Sequence, residues 1–389
     1  MKKIAIIIDG DLVNRKGQVN ASLNRIKYLK KIADYQIDVY SIQNEDDTLT
    51  RLLKKKVKRE RLPSIQVDDI TINILWKKNC LLNYLLTYKL KYKPLFYQGW
   101  NKKYASLFKE YNLISAHSIT CGRLALAIHE LYRIPYYVTW HGSDIHTLPF
   151  ITKYNRTQTI NVLEKATNNF FVSKALMKAS DKLTINAQKQ LLYNGGGELF
   201  YNYKSETKEK IKEKLGVSRK KIVAFIGNLF PIKNVLVLPE IFKNISQKYD
   251  GEIMFWIIGD GKLRLPLVQL LQKHHVNCKL WGNQPIEKMP TFMNVIDVLI
   301  LPSKNEGLPL VTVEALSCGS NVVGSNVGGI AEVIGEDNVF DLNNDFIDNI
   351  SSRIIEMLNG SIKQPLSDVF SWDSTAHIEN EIYQKDLSK

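Results

Sequence analysis

Short apolar runs alternate along this chain with amphipathic stretches, and the two periods predict strands and helices in turn. The run Asp297-Val298-Leu299-Ile300-Leu301-Pro302 is brief, apolar and β-branched, so it reads as a buried strand closed by Pro302. Pro309 then fits the first turn of a helix carrying Val311, Val313, Ala315 and Leu316, with Gly319 as its stop. The order is strand, loop, helix. The same reading places strands near 222–227, 253–259, 276–282, 295–301 and 321–324, and less cleanly near 4–8, 37–42, 113–117, 136–140 and 170–173. Repeated units of this kind predict α/β architecture with mostly parallel sheets, whose ligands meet the loops at the carboxyl ends of the strands.

A chain of 389 residues is too long for one core, and both halves carry the doubly wound pattern. The expected division is a Rossmann-like domain over 1–204 and a second over 205–371, joined by a Lys- and Glu-rich linker and helix. A terminal helix over 372–389 is expected to pack back on the first domain. No run of about 18 apolar residues occurs, so no membrane-spanning helix is expected. The start, Met1-Lys2-Lys3-Ile4, leads into an apolar run that breaks at Asp9 without a cleavage signature, which reads as a first strand. With four scattered cysteines, the expectation is a reducing cytosol.

Charge divides unevenly. Residues 1–200 hold 32 Lys and Arg against 16 Asp and Glu (32 − 16 = +16), and residues 201–389 hold 21 against 23 (21 − 23 = −2). The one-sided excess points to an anionic partner: nucleic acid, acidic polymer or membrane surface. It concentrates in Lys54, Lys55, Lys56, Lys58, Arg59 and Arg61, and again over 77–103, where lysines interleave with Trp76, Tyr84, Tyr88, Tyr92, Phe96 and Trp100. That segment reads as an interfacial helix on anionic lipid or as a core-facing helix with a solvated lysine face.

Several strand ends carry chemistry. Glu306 follows the strand near 295–301, and Glu314 stands eight positions later in the ensuing helix, so the segment reads either as a surface loop or as a ligand turn with two carboxylates. Lys233 follows the strand near 222–227 and could meet phosphate or only solvent. Gly259-Asp260-Gly261 and Gly328-Gly329 are turns in which backbone can approach a neighbour or a ligand. His141, in His141-Gly142-Ser143-Asp144, emerges at a strand end, and His117 closes another, reading as a packing residue or as one that supports a site residue from behind. Gly10 and Gly17 flank the loop after the first strand, a place for close backbone approach to a ligand or for flexibility alone.

Together these pieces resemble the retaining glycosyltransferases of the glycogen-synthase-like family four. The resemblance rests on Glu306-x7-Glu314 with Pro302 to Pro309 and Glu314 to Gly319, supported by Gly227 to Lys233, Gly259-Asp260-Gly261, His141 to Asp144, Val172-Ser173-Lys174 and Asn194-Gly195. It implies the GT-B fold, two Rossmann-like domains facing across a cleft. It further implies that Glu306 meets the donor sugar at its reacting face, and that the backbone of Gly307, Leu308, Pro309 and Leu310 holds sugar hydroxyls and diphosphate. Glu314 would bind the ribose, Lys233 would neutralise the diphosphate, and His141 would line the acceptor side; Gly17 and Asn228 belong to the expected donor site. No Asp-x-Asp pair stands at a comparable strand end, so no metal or other cofactor is expected.

Two departures stand out. Asn228 occupies a position where the family usually carries arginine, which leaves Arg264 or Lys262 to compensate, and Gly195-Gly196-Gly197 replaces a region that commonly holds an aspartate. The implied reaction moves a hexose from a nucleotide sugar, UDP-linked, to a lipid-linked or polysaccharide acceptor in bacterial surface glycan synthesis. The implied place is the cytoplasm, peripheral on the inner membrane face. The alternatives are a GT-B sugar-nucleotide epimerase and a basic nucleic-acid-binding protein; against the latter stand the lack of a nucleic-acid motif and the nearly neutral second half, so no nucleic-acid partner is expected.

Overall fold

The structure, a computed structural model, describes residues 1–13, 15, 17–53, 60–80, 94–360 and 362–388. The basic residues Lys54, Lys55, Lys56, Lys58 and Arg59 and the aromatic–lysine stretch over 81–93 lie outside the described residues. The chain forms two compact units, Met1–Asn194 with Trp372–Lys389, and Gly195–Ser371. The division falls earlier than 205 because Phe200 packs with Val217, Ile222 and Trp256 in the core of the second unit.

The first unit is built on eight strands: β1 (Lys3–Asp9), β2 (Gln36–Asp46), β3 (Ser64–Val67), β4 (Ile70–Asn79), β5 (Leu113–His117), β6 (Tyr136–Trp140), β7 (Asn168–Phe171) and β8 (Lys189–Leu191). Their order is β3-β4-β2-β1-β5-β6-β7-β8, parallel throughout except for the β3–β4 hairpin. Ile4 to Ile8 are buried almost completely because β1 is central and covered on both faces, which is why the run is uninterruptedly apolar. The hairpin was not expected from the pattern; Asp68 turns it with a left-handed φ of 50°. The strand expected at 170–173 lies at Asn168–Phe171, because Ser173 instead caps the next helix through a bond to the Leu176 N–H.

The second unit holds β9 (Lys221–Ile226), β10 (Ile253–Ile258), β11 (Cys278–Gly282), β12 (Val298–Leu301), β13 (Asn321–Ser325) and β14 (Val339–Phe340), all parallel, in the order β11-β10-β9-β12-β13-β14. Strand side chains alternate between faces. Val223 and Phe225 enter one core with Phe255, Ile257 and Ile300, while Ile222 and Ala224 enter the other with Trp256 and Ile258. Each large apolar side chain sealed this way contributes about 1.5–3 kcal/mol. The expected strand at 295–301 begins only at Val298, since Asn294 to Ile296 still bond back to Pro290 and Phe292 at the end of the preceding helix.

Sequence proceeds outward from β9 on one side and from β12 on the other. The order of the sheet therefore reverses between them, and in open α/β sheets such a reversal opens a crevice at the carboxyl ends of the two strands. In the first unit the same reversal falls between β1 and β5.

Candidate functional site

In the second unit three loops converge beyond the carboxyl ends of β9, β12 and β13. The loop after β9 ends in the short helical turn Pro231–Lys233, closed by Asn234 in the left-handed conformation. The Lys304 N–H donates to the Ile232 carbonyl (2.8 Å), tying this loop to the one after β12. Lys233 Nζ then reaches Glu306 Oε1 at 2.6 Å, and Ser303 Oγ donates to the same oxygen at 2.6 Å. Both charged side chains keep limited solvent access, 22% for Lys233 and 11% for Glu306. A partly screened ion pair at a crevice remains available to a charged ligand that competes for either partner.

The glycines of these loops serve backbone-to-backbone approach. A Cβ on Gly328 (φ 56°) would lie 1.9 Å from the Glu306 carbonyl oxygen, and one on Gly259 (φ 131°) 2.0 Å from that of Gly227. Only glycine fits at either position. The neighbour is thus the protein itself: Gly328 seats the Glu306 loop, and Gly259-Asp260-Gly261 seats the Lys233 loop, with the Leu229 N–H donating to the Asp260 carbonyl (3.0 Å). Gly196 meets a side chain instead. Its Cβ would lie 2.8 Å from Ser317 Oγ, and its N–H bonds the Phe370 carbonyl at 3.1 Å.

Gly307 accepts the Gly329 N–H through its carbonyl at 2.9 Å, and Leu308 is buried. The helix after this loop spans Leu310–Ser317, with Pro309 extended (ψ 109°) as its cap. The expected placement of Pro309 inside the first turn is corrected by one residue: its carbonyl accepts the Thr312 hydroxyl (2.7 Å) and N–H, so the turn begins at Leu310. Glu314 sits in the second turn, and burial pushes its carboxyl up to about 7. Asn228 is exposed in the loop after β9. Arg264, a candidate to replace the missing charge there, lies 3.6 Å from Asp260 in an ion pair of its own.

In the first unit, polar groups gather at the carboxyl ends of β1, β5 and β6. His141 follows β6, its N–H and that of Gly142 held by the Asp144 carboxylate (3.3 and 2.9 Å). His117, at the end of β5, is sealed beside it: the rings stack at 5.5 Å with an interplanar angle of 26°, and His117 Nδ1 lies 3.4 Å from His141 Nε2. Ser22 Oγ is 3.0 Å from the same Nδ1. Burial, then the charge of Arg25, lowers both imidazoles, His141 to about 3. Burial raises the Asp144 carboxyl to about 6.

Gly17 opens the helix Gly17–Ile32 with open space where a Cβ would stand, so packing makes no demand for glycine there. Gly10 is the constrained one, at φ 110° with Val19 Cγ2 2.6 Å from a built Cβ. Asp9, Ser118 and Arg25 went unrecognised in the sequence. The Asp9 carboxylate accepts from Ser118 Oγ (2.9 Å) and Gln18 Nε2 (3.0 Å), and burial raises it. Ser118 holds φ 93° and ψ 164°, a region almost reserved for glycine and worth about 1–3 kcal/mol of strain. An Asp closing the first apolar run was the available signal.

Two doubly wound units with their polar groups at carboxyl strand ends define a GT-B fold. Anabaena HepE, solved in complex with UDP and glucose, aligns with a TM-score of 0.70 at 17% identity over 100% of both chains, a likeness of fold. Residues 207–367 match the family model described as Glycosyl transferases group 1. The match lies within the second unit, Gly195–Ser371, and covers less than half of the chain. The putative teichuronic acid biosynthesis glycosyltransferase TuaC of Bacillus subtilis (strain 168) is 28% identical over 227 residues, 58% of this chain and 56% of that protein. The UDP-Gal:alpha-D-GlcNAc-diphosphoundecaprenol alpha-1,3-galactosyltransferase of Escherichia coli is 35% identical over 133 residues, 32% of this chain and 33% of that protein. The chain thus spans about half of the first relative's length and a third of the second's.

Proposed function

We propose that this chain transfers a hexose from a nucleotide sugar, UDP-linked, to a lipid-linked or polysaccharide acceptor in bacterial surface glycan synthesis, with retention at the anomeric carbon and without a metal or other cofactor. The observation that carries the reading is the Lys233–Glu306–Ser303 cluster at the reversal point of the second sheet. Departure of a nucleoside diphosphate builds negative charge, which a lysine stabilises. A diphosphate that takes Lys233 also frees the Glu306 carboxylate, which is then available to an oxocarbenium-like sugar. Glu314 is assigned to the ribose hydroxyls, the backbone of Gly307 to Leu310 to sugar and diphosphate, and His141 to the acceptor.

UDP stands in the HepE complex, and the name of the E. coli relative carries both a UDP-sugar and a diphospholipid acceptor. The +16 balance of residues 1–200 (32 − 16) suits an anionic membrane face, where the acceptor would be met from the cytoplasm. Glu306→Gln is expected to lower transfer from UDP-hexoses about 100-fold, a loss typical of one electrostatic stabiliser. Full transfer by that variant, or loss of wild-type transfer on chelation of metals, overturns the corresponding part. Sedimentation with phosphatidylglycerol vesicles is expected to weaken when Lys54, Lys55, Lys56 and Lys58 are neutralised; unchanged sedimentation removes the membrane assignment.

A further inference from the structure

The first unit contains a buried ion pair that the proposed reaction leaves without a role. Arg25, on the helix Gly17–Ile32, pairs through Nε with Glu379, on the C-terminal helix Trp372–Leu387; the side chains are 2% and 1% exposed. They are 354 residues apart in sequence. Among the described residues both Nη atoms of Arg25 are buried without a hydrogen bond, and the guanidinium carbon lies 5.1 Å from the Phe170 ring centre. An apolar pair of similar volume would fill the space at no desolvation cost.

Two routes lead from Glu379 to His117. Along β5, the Tyr383 hydroxyl bridges Glu379 and Ser115 Oγ (2.8 Å to the latter), and Ser115 lies two residues before His117 on the same face of the strand. Along the Gly17–Ile32 helix, Ser22 stands one turn before Arg25 and bonds His117 Nδ1 at 3.0 Å. His117 in turn stacks on His141. We propose that Arg25 and Glu379 are positioning residues for the His117–His141 pair, making the C-terminal helix part of the site at the carboxyl ends of β5 and β6.

The proposal rests on the glycosyl-transfer reading only where it gives His141 a part in the reaction. Burial, and after it the Arg25 cation behind the pair, keeps both imidazoles uncharged, so that one ring nitrogen donates and its neighbour accepts, and an acceptor hydroxyl meets a neutral imidazole. The other ionisable groups around the pair are Asp9 at the end of β1, Cys121 on the helix Ile119–Tyr132, Asp144 on the turn after β6, Tyr383 on the C-terminal helix, and Lys77 on β4, which acts on Asp9 and Cys121.

The test is side-chain histidine titration by NMR on the full chain, alongside the pH profile of transfer. In Arg25→Met/Glu379→Met, which removes both charges together, the His117 and His141 resonances are expected to titrate at least one pH unit higher, a tenfold gain in proton affinity. The acid limb of transfer should follow, while stabilisation by UDP, bound by the other unit, stays unchanged. Arg25→Lys should restore the wild-type titration. Arg25→Gln/Glu379→Gln gives the same reading where the methionine pair does not fold. Wild-type histidine titration in either folded double variant overturns the proposal. Absence of transfer from every nucleotide sugar by the wild type overturns the functional reading alone, because the titration needs no substrate.

Discussion

The Lys233 and Glu306 loops of the second unit and the strand-end cluster of the first hold their charged groups by opposite means. Lys233 and Glu306 form a close pair that keeps some contact with water, held by loops whose backbones touch through Gly259 and Gly328. His117 and Asp144 instead sit beneath the surface with His141 half-buried beside them, on partners brought from two remote helices and three strands. The difference lies in where the charge is decided. A pair with some solvent access can exchange its partner for a ligand, whereas a buried cluster has its protonation set by burial and by fixed charges before any ligand arrives.

The largest expected effect breaks the buried side of this comparison. Arg25→Met alone leaves Glu379 without its cation, and a loss of about 3–5 kcal/mol in urea unfolding is expected. Adding Glu379→Met should recover most of it, and a single variant as stable as the wild type would show the pair to be electrostatically idle. In the second unit the corresponding weak point is backbone: Gly328→Ala drives a methyl into the Glu306 carbonyl, with an expected loss of about 3 kcal/mol and a displaced Glu306 loop. Thermal unfolding with and without UDP measures both.

Glu314 gives the smallest and most pH-dependent effect. Its folded carboxyl is raised to about 7, above its unfolded value, so the folded state holds the proton more tightly. Stability from this group is therefore full at pH 4 and falls as pH rises through about 7. Glu314→Gln is expected to match the wild type at pH 4, to exceed it by about 2 kcal/mol at pH 8, and to bind UDP-sugars more weakly. Equal stability at both pH values would mean that burial does not act on Glu314 as stated.

Much of the second unit was legible because its signals are local. The run Val298–Leu301 is apolar throughout because β12 is covered on both faces, and Glu306 and Glu314 stand within one strand–loop–helix unit, so spacing alone predicted their neighbourhood. Where local rules competed, the reading slipped: Val295 and Ile296 are as apolar as a strand but complete a helix end. Ile70, Ile72 and Ile74 alternate as a strand does, and β4 continues to Asn79, into the segment expected over 77–103 to be helical. At the described end of that segment Lys77 is buried, with Nζ 5.6 Å from the Trp100 ring centre.

By itself the sequence determined the alternating α/β elements, the two-domain plan and the positions of Lys233, Glu306, Glu314 and His141 at strand ends, since period, turn residues and short spacing are written in neighbouring residues. Only the tertiary structure decided that Lys233 and Glu306 are paired, that the glycines serve loop-to-loop contact, and that Arg25 and Glu379 stand behind the two histidines. Those facts depend on which strands lie side by side and on burial, and a chain without its fold has neither: an ion pair spanning 354 residues exists only once both helices pack on one sheet.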